Sequence, residues 1–434
     1  MKKTTLALAI SAATLAATPA LATNGDHLIG LGAKSRALGG TGIAAFYGAE
    51  NALINPALLA KGKTNELTFA GTIFKPTVKV KQTNVVSNAP LPPGAFQTVE
   101  TSDADLSVIP EVAIMNPINE QLVFGIGIFG VAGMGVDFRD NPNLNNARTN
   151  LQLMKFAPSL AYNGGNWGVG ASVAVMYGSL DIAYKLYDIN NTPYVNPVSG
   201  TAQQGGTGGV SDDYGLGWQI GGYFDVTDSL TLGATYQSPI TLKYKGQIAS
   251  AAADFNLGSR ISSDKLEQPA TLGVGVSYST GAYELTVDFK QIKWGDATGY
   301  KEFGWEDQNV IALGARYQGN GYWVGIGFNK GDNPIKKNPT GNPQLDGALN
   351  RLNYLMFPGT VEKHWTLGGG YRFSKTFSVD VALTYAPEVK DTVTNGFAMD
   401  ANNNPADGPE VQGQFDLITK HSQVGYTLSL HYDF

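Results

Sequence analysis

Cysteine is absent from the 434 residues, so no disulfide braces the chain and its stability comes from packing and closed hydrogen bonding. Charge is sparse as well. Asp, Glu, Lys and Arg make up 15% of the chain, and the formal net charge of -6 offers nucleic acid no basic face. The four histidines, His27, His364, His421 and His431, are too scattered to form a ligand cluster, so neither a metal nor another cofactor is expected. Beyond the N-terminus no stretch reaches the ~18 consecutive apolar residues of a membrane helix, which excludes a helical membrane protein.

Glycine and aromatic residues are what the chain has in quantity. Glycine contributes 54 residues and aromatics 10% of the chain, a composition of strands rather than helices. At the start, Lys2 and Lys3 precede an apolar run from Leu6 to Ala17, and Pro19 to Ala22 closes with a small-residue cleavage pattern. Residues 1–22 therefore read as a secretory signal peptide, with the mature chain starting at Thr23.

Apolar residues then alternate with polar ones. At the C-terminus Val424, Tyr426, Leu428, Leu430, Tyr432 and Phe434 share one face, while Gln423, Gly425, Thr427, Ser429, His431 and Asp433 share the other. Fourteen such segments begin near residues 65, 105, 122, 149, 166, 214, 229, 266, 283, 309, 322, 361, 377 and 423. Short Gly, Asn, Ser and Asp turns alternate with long loops near 82–104, 139–148, 188–213, 248–265, 296–308, 331–360 and 391–422. Short turns at one end and long loops at the other are the pattern of an outer-membrane barrel, with aromatic residues at the strand ends forming its two girdles. Hydrocarbon offers no hydrogen-bond partner, so the sheet must close on itself. The expected fold is all-β: a 14-stranded antiparallel transmembrane β-barrel from 64–434 in the bacterial outer membrane.

A cylinder of that size is wider than side chains alone can fill, since about eight strands is the filled case. Residues 23–63 are the segment available to occupy it. They are rich in glycine, carry short helical pieces and include the apolar run Asn51 to Ala60, broken at Asn55 and Pro56. The expectation is an N-terminal helical hatch plugging the lumen.

Ser35 to Gly42 (SRALGGTG), then Asn51 and the triplet Asn55, Pro56 and Ala57, resemble the hatch of the FadL-type outer-membrane transporters of long-chain fatty acids and other hydrophobic compounds. Phe357 to His364 followed by Thr366 to Phe373 resembles that family's twelfth strand and preceding loop. The resemblance implies passive uptake without catalysis: capture by outer loops, movement of the hatch, and sideways release through a kinked third strand. It also implies a gate containing Ser35, Arg36, Gly39, Gly40, Asn55, Pro56 and Ala57, with the triplet lying opposite the kink. Partners expected on this reading are a hydrophobic small molecule (fatty acid, alkane or aromatic hydrocarbon), outer-membrane lipids and lipopolysaccharide, and the barrel assembly machinery, with the protein a monomer.

The residues speak to the kink independently. Along 125–135 the glycine spacing breaks the alternation in mid-strand, so Gly127, Gly130 and Gly133 mark a bulge or bend. Leu352, Tyr354, Leu355, Met356 and Phe357 form an apolar run in an outer loop, read either as loop-on-loop packing or as an exposed entry groove. Parity turns Glu284, Asp288, Lys290, Arg316, Arg372 and Asp380 inward, and Arg316 and Arg372 are candidates for binding a carboxylate.

Other motifs carry less. Gly125, Gly127 and Gly130 match a dinucleotide fingerprint in letters, but they lie within a strand and open no helix. Residues 400–408 place oxygen ligands at alternate positions as calcium loops do, yet Pro405 stands where the turn glycine belongs. Ser429 and His431 share an inward face, as in an outer-membrane lipid hydrolase, although polar lining of the lumen explains them as well. An open diffusion porin is the other competing reading.

Overall fold

In the computed structural model, which describes residues 23–87, 99–141, 144–185, 206, 208–399 and 411–434, the alternating segments are strands. They run β1 (Glu66–Ser87), β2 (Ser107–Pro117), β3 (Leu122–Asp137), β4 (Arg148–Asn163), β5 (Trp167–Ala183), β6 (Ser211–Thr227) and β7 (Leu230–Gln237). The series continues with β8 (Thr271–Thr280), β9 (Tyr283–Ile292), β10 (Gln308–Gln318), β11 (Tyr322–Gly331), β12 (Lys363–Arg372), β13 (Phe377–Met399) and β14 (Val411–Asp433). Each pairs antiparallel with its chain neighbour, and β14 closes on β1 from Asp433 opposite Glu66 to Gly413 opposite Ser87. The signal-peptide region and the 400–408 loop lie outside the described residues.

Outward positions carry large apolar side chains left uncovered, Leu216 at 75% and Ile326 at 66% among them. Such a surface fits lipid and not water. At the short-turn end Tyr283 lies tilted against Tyr317 at 5.3 Å and Tyr371 meets Phe373 edge-on at 4.9 Å, while Phe328 and Trp365 meet at 4.6 Å toward the other end. These are the girdles, where a ring is buried and its polar tip reaches water.

Three stretches depart from the sequence expectation. β13 and β14 continue to Met399 and back from Val411, where 391–422 reads as loop. Above the lipid the outer face meets water instead of hydrocarbon, so Thr392, Thr394, Asp416 and Lys420 stand there while Val393, Leu417 and Thr419 pack inward, and the outward apolar signal disappears. Lys265–Gln268 is not the start of β8 but pairs with Ile240–Lys243 in a separate ribbon. The long loops also fold: α3 (Ile248–Asp254), α4 (Pro343–Arg351) and a π turn (Leu352–Met356) occupy them.

Before β1 come α1 (Gly32–Ala37), α2 (Asn51–Ile54) and a 3-10 turn (Pro56–Lys61). Asn55 starts the turn by accepting the Ala57 N–H at 3.1 Å, and Pro56 fills the first position, where its missing N–H costs nothing. This segment lies within the cylinder. Arg36 pairs with Glu111 of β2 at 2.5 Å and donates to Thr72 of β1 and, at 3.2 Å, to Thr427 of β14. The N–H groups of Gly42 and Ile43 donate to Asp288 at 2.8 and 3.0 Å, and Gly39 N–H donates to Thr366 at 3.0 Å. Inward carboxylates thus meet backbone donors from the leading segment, which is how charges out of water are tolerated.

Candidate functional site

Two chambers lie one above the other inside the barrel. The upper one, under the long loops, is lined by Met134 of β3, Leu180 of β5, Ala252 of α3, Tyr300, Trp305 and Phe357 among others. Almost everything facing it is carbon. The run Leu352 to Phe357 is therefore no exposed groove. Its residues are buried, from 0% exposure at Tyr354 to 8% at Phe357, and Leu352 and Phe357 form part of the chamber wall. An apolar run in a loop long enough to fold back is driven inside. Thr149 of β4 donates to Met356 O and Thr419 of β14 to Tyr354 O, both at 2.6 Å, fixing the run across the mouth.

The lower chamber is lined by the leading segment at His27, Leu28, Ile43 and Leu53 and by Lys155 of β4 and Lys290 of β9. Lys155 is 4% exposed, and its ammonium donates to Gln237 at 2.6 Å. Lys290 donates to Gly40 O at 2.9 Å. Among the described residues neither cation has a carboxylate within salt-bridge distance, so both remain available to an anionic group in the chamber.

A polar knot separates the chambers. Buried Asp26 accepts from Tyr300 and, at 3.1 Å, from Gln268, while His27 Nε2 donates to the Gln268 carbonyl at 3.0 Å. Burial pushes the Asp26 carboxyl up to about 6, against those hydrogen bonds, and burial followed by the charge of Lys155 holds His27 down to about 4. Both shifts favour the uncharged forms, as expected for groups taken out of water. Trp294 lies tilted against His27 at 4.9 Å and against Tyr300 at 4.6 Å, walling the knot with aromatic carbon.

The same leading residues meet a break in the wall. Between Gly130 and Ala132 the register of β3 against β4 shifts, leaving Val131 as the extra residue of a bulge. β2 stops pairing with β3 at Glu111 opposite Phe129. Above that point Ala132 pairs with His27, and Gly133 N–H donates to Asp26 O at 3.0 Å. The window is bounded at the top where Asp103 N–H donates to Asp137 O at 2.9 Å, and inside it Leu28 packs on Phe74 and Ile109. Val131 also lines the lower chamber. The glycine run at Gly127, Gly130 and Gly133 thus coincides with an irregular strand.

The other residues singled out from sequence fall elsewhere. Asn55, Pro56 and Ala57 do not face the bulge. They press on β5 and β6, where Asn55 donates to Gly222 O at 3.2 Å and a Cβ on Gly170 would sit 2.5 Å from Ala57 N. Ser35 donates to Thr41 O at 2.8 Å within the leading segment, and Asn329 donates to Gly39 O at 3.0 Å. Arg316 is paired with Glu284 at 2.9 Å and Arg372 with Asp433 at 3.5 Å, both near the short turns and away from the two chambers, so neither is free for a ligand carboxylate there. Ser429 donates to Glu50 at 3.2 Å and accepts the Ala33 N–H at 3.0 Å, while His431 lies between Glu66 at 3.2 Å and Asp380 at 2.8 Å. They anchor the leading segment and do not form a nucleophile–base pair. Asp26, His27, Leu28 and Lys155 were not evident from sequence. For Lys155 the available signal is a charge at the inward parity in mid-strand, between Leu153 and Ala157.

Comparison with known proteins places this geometry in context. The family model described as "Outer membrane protein transport protein (OMPP1/FadL/TodX)" matches residues 8–434. The long-chain fatty acid transport protein of Salmonella typhi is 24% identical over 387 residues, covering 78% of this chain and 81% of that protein. The protein of the same name from Escherichia coli K12 is 23% identical with the same coverage. Among solved structures, a Pseudomonas aeruginosa FadL homologue superimposes with a TM-score of 0.67 at 16% identity, over 94% of this chain and 100% of that one. The Pseudomonas putida toluene transporter TodX gives 0.65 at 18% identity, over 95% and 100%. At these identities the structural likeness bears on the fold.

Proposed function

The chain belongs to the outer membrane protein transport family (OMPP1/FadL/TodX), a family of outer-membrane transporters rather than enzymes, and from that premise we propose that it takes up hydrophobic compounds, long-chain fatty acids among them, by lateral release. The solute enters the apolar upper chamber from the loop side. It displaces the Asp26–His27 knot, passes into the lower chamber, where Lys155 and Lys290 receive a carboxylate if there is one, and leaves sideways past Leu28 and Val131 into the bilayer. No energy source is required beyond binding and the gradient. One observation supports this most directly: the apolar chamber and the wall defect lie on either side of the same leading residues, Asp26 to Leu28. Displacing these three residues therefore joins one to the other, whereas the deeper helices stay tied to the wall.

Filling the upper chamber tests the reading. Ala252 lines it from α3 and is 3% exposed. Ala252→Trp lowers the affinity for oleate and for toluene about ten-fold or more, the equivalent of ~1.4 kcal/mol of lost contact. Binding measured by tryptophan quenching or calorimetry and found unchanged for both solutes removes the chamber from the route. Lys155→Met separates solute classes. A hydrogen bond to a charged group contributes ~1.5–3 kcal/mol, so oleate binding weakens by about ten-fold or more while toluene binding stays the same. Equal loss for both solutes contradicts the carboxylate role.

A further inference from the structure

Outward-facing lysines gather on one side of the barrel, at its long-loop rim. Cross-strand register sets their heights. Phe328, Trp365, Tyr385, Val424 and Lys75 lie in one row across β11, β12, β13, β14 and β1. That row is the top of the lipid-facing band, with Trp365 58% exposed and Tyr385 47%. Two residues higher, ~7 Å along the strands at 3.4 Å per residue, Lys330 stands directly opposite Lys363. Four residues above Val424, ~13 Å along β14, Lys390, Lys420 and Lys79 are opposite one another on three adjacent strands. Lys81 continues the file on β1, opposite Ile418.

Like charges directly opposed across strands repel, and little in the chain relieves them. Lys420 pairs with Glu388 at 2.9 Å, and Asp332 and Asp416 lie nearby, Asp416 accepting from Thr394. Among the described residues Lys75, Lys79, Lys81, Lys330, Lys363 and Lys390 have no ion pair. All seven lysines are exposed or half-exposed. In a chain whose net charge is -6, so concentrated a positive strip calls for an external polyanion. Its height selects which one. The polar region of a bilayer leaflet begins at the edge of the hydrocarbon and extends ~5–8 Å for phospholipid, and strands tilted ~40° shorten the distances above. The Lys330–Lys363 pair therefore stands ~5 Å above the aromatic row, level with headgroup phosphates, and the Lys79–Lys390–Lys420 row ~10 Å above it, where long lysine stems reach down to them or a thicker glycolipid headgroup rises to meet them, with aromatic rings beneath for the acyl chains.

We propose that the β11–β14–β1 face binds the phosphate groups of the outer leaflet's glycolipid, lipopolysaccharide, through Lys79, Lys390 and Lys420 with Lys330 and Lys363 beside them. The site requires the outer-membrane location but not the transport reading, since none of these side chains lines either chamber. The bound lipid neutralises the opposed cations, and its sugars cover the outer rim of the seam between β14 and β1.

The experiment uses the full mature protein in detergent, with bisphosphorylated lipid A as the probe. Wild-type protein retains lipid A through purification, and titrated lipid A binds with an affinity that falls as salt rises. The triple variant Lys79→Gln, Lys390→Gln, Lys420→Gln binds about ten-fold to a hundred-fold more weakly, and the triple Lys→Arg variant restores binding. Heat-modifiable migration on gels verifies that each variant is a closed barrel. Dephosphorylated lipid A binds the wild type as weakly as the Gln variant binds the intact lipid. Equal binding by the Gln and wild-type barrels overturns the proposal, as does equal binding of dephosphorylated lipid A. Competition by inorganic phosphate at concentrations equal to those of lipid A also overturns it, in favour of a site for free anions.

Discussion

Deleting Val131 stops the uptake of hydrophobic solutes while leaving an assembled barrel. Val131 is the residue by which β3 exceeds β4 between Gly130 and Ala132, so its loss restores an unbroken ladder without disturbing Met154 or Leu153 on the partner strand. A regular β3 can go on pairing with β2 beyond Phe129, and the backbone groups now held by Asp26 and His27 are taken up by the wall. The lower chamber then has no side exit. Uptake of radiolabelled oleate or toluene by cells lacking other transporters of this kind falls by about ten-fold or more, because crossing a closed sheet means breaking ladder hydrogen bonds where no water replaces them. Solute binding in the upper chamber is unaffected. Unchanged uptake by a variant that still shows heat-modifiable migration means that the solute does not leave through this window.

Deleting residues 24–48 has the opposite signature. The segment removed carries Arg36 with its pairing to Glu111 and the backbone donors to Asp288, together with the polar knot between the chambers. The vacated lumen of a fourteen-stranded cylinder is too wide for side chains to close, and the stranded carboxylates draw water in. Single-channel current in planar bilayers rises from unresolved to porin-like steps, about ten-fold or more above any wild-type current. Uptake of oleate falls because a flooded lumen no longer offers a continuous apolar surface. A large steady current from the intact protein, or equal uptake with and without the segment, contradicts the proposed plug.

Strand count was legible because it rests on a local, repeated signal, whereas the expectation of a plug rested on the width of the cylinder. Lipid imposes alternation on every spanning strand, and that signal vanishes for Thr392 or Asp416 above the membrane, where β13 and β14 continue unannounced. Parity assigned inward faces correctly at Asp288 and Asp380, but it carries no height. Arg372 therefore looked equivalent to Lys290 although it sits beside a short turn, paired with Asp433. Nor does a linear motif give an azimuth. Asn55, Pro56 and Ala57 form a distinct capped turn, yet which strands it touches depends on how 41 residues from 23 to 63 are coiled inside the cylinder. The knot escaped notice for a similar reason: Asp26, His27, Gln268 and Tyr300 are brought together from positions up to 274 residues apart.

The register of the β1–β14 seam also sets the order of assembly. Glu66 meets Asp433, so the first strand made waits for the last, and this contact spans nearly the whole chain. Long-range pairing of that kind is slow because the ends of a long polymer must find each other. In the closed barrel α1 bridges that seam from within: Arg36 reaches Thr72 and Thr427 on its two sides and Ala33 N–H donates to Ser429 on β14. A sheet that closed with the helix outside would leave those partners facing a water-filled bore. Residues 32–37 thus hold the closing seam from inside, and a barrel without them closes with fewer contacts across its first and last strands.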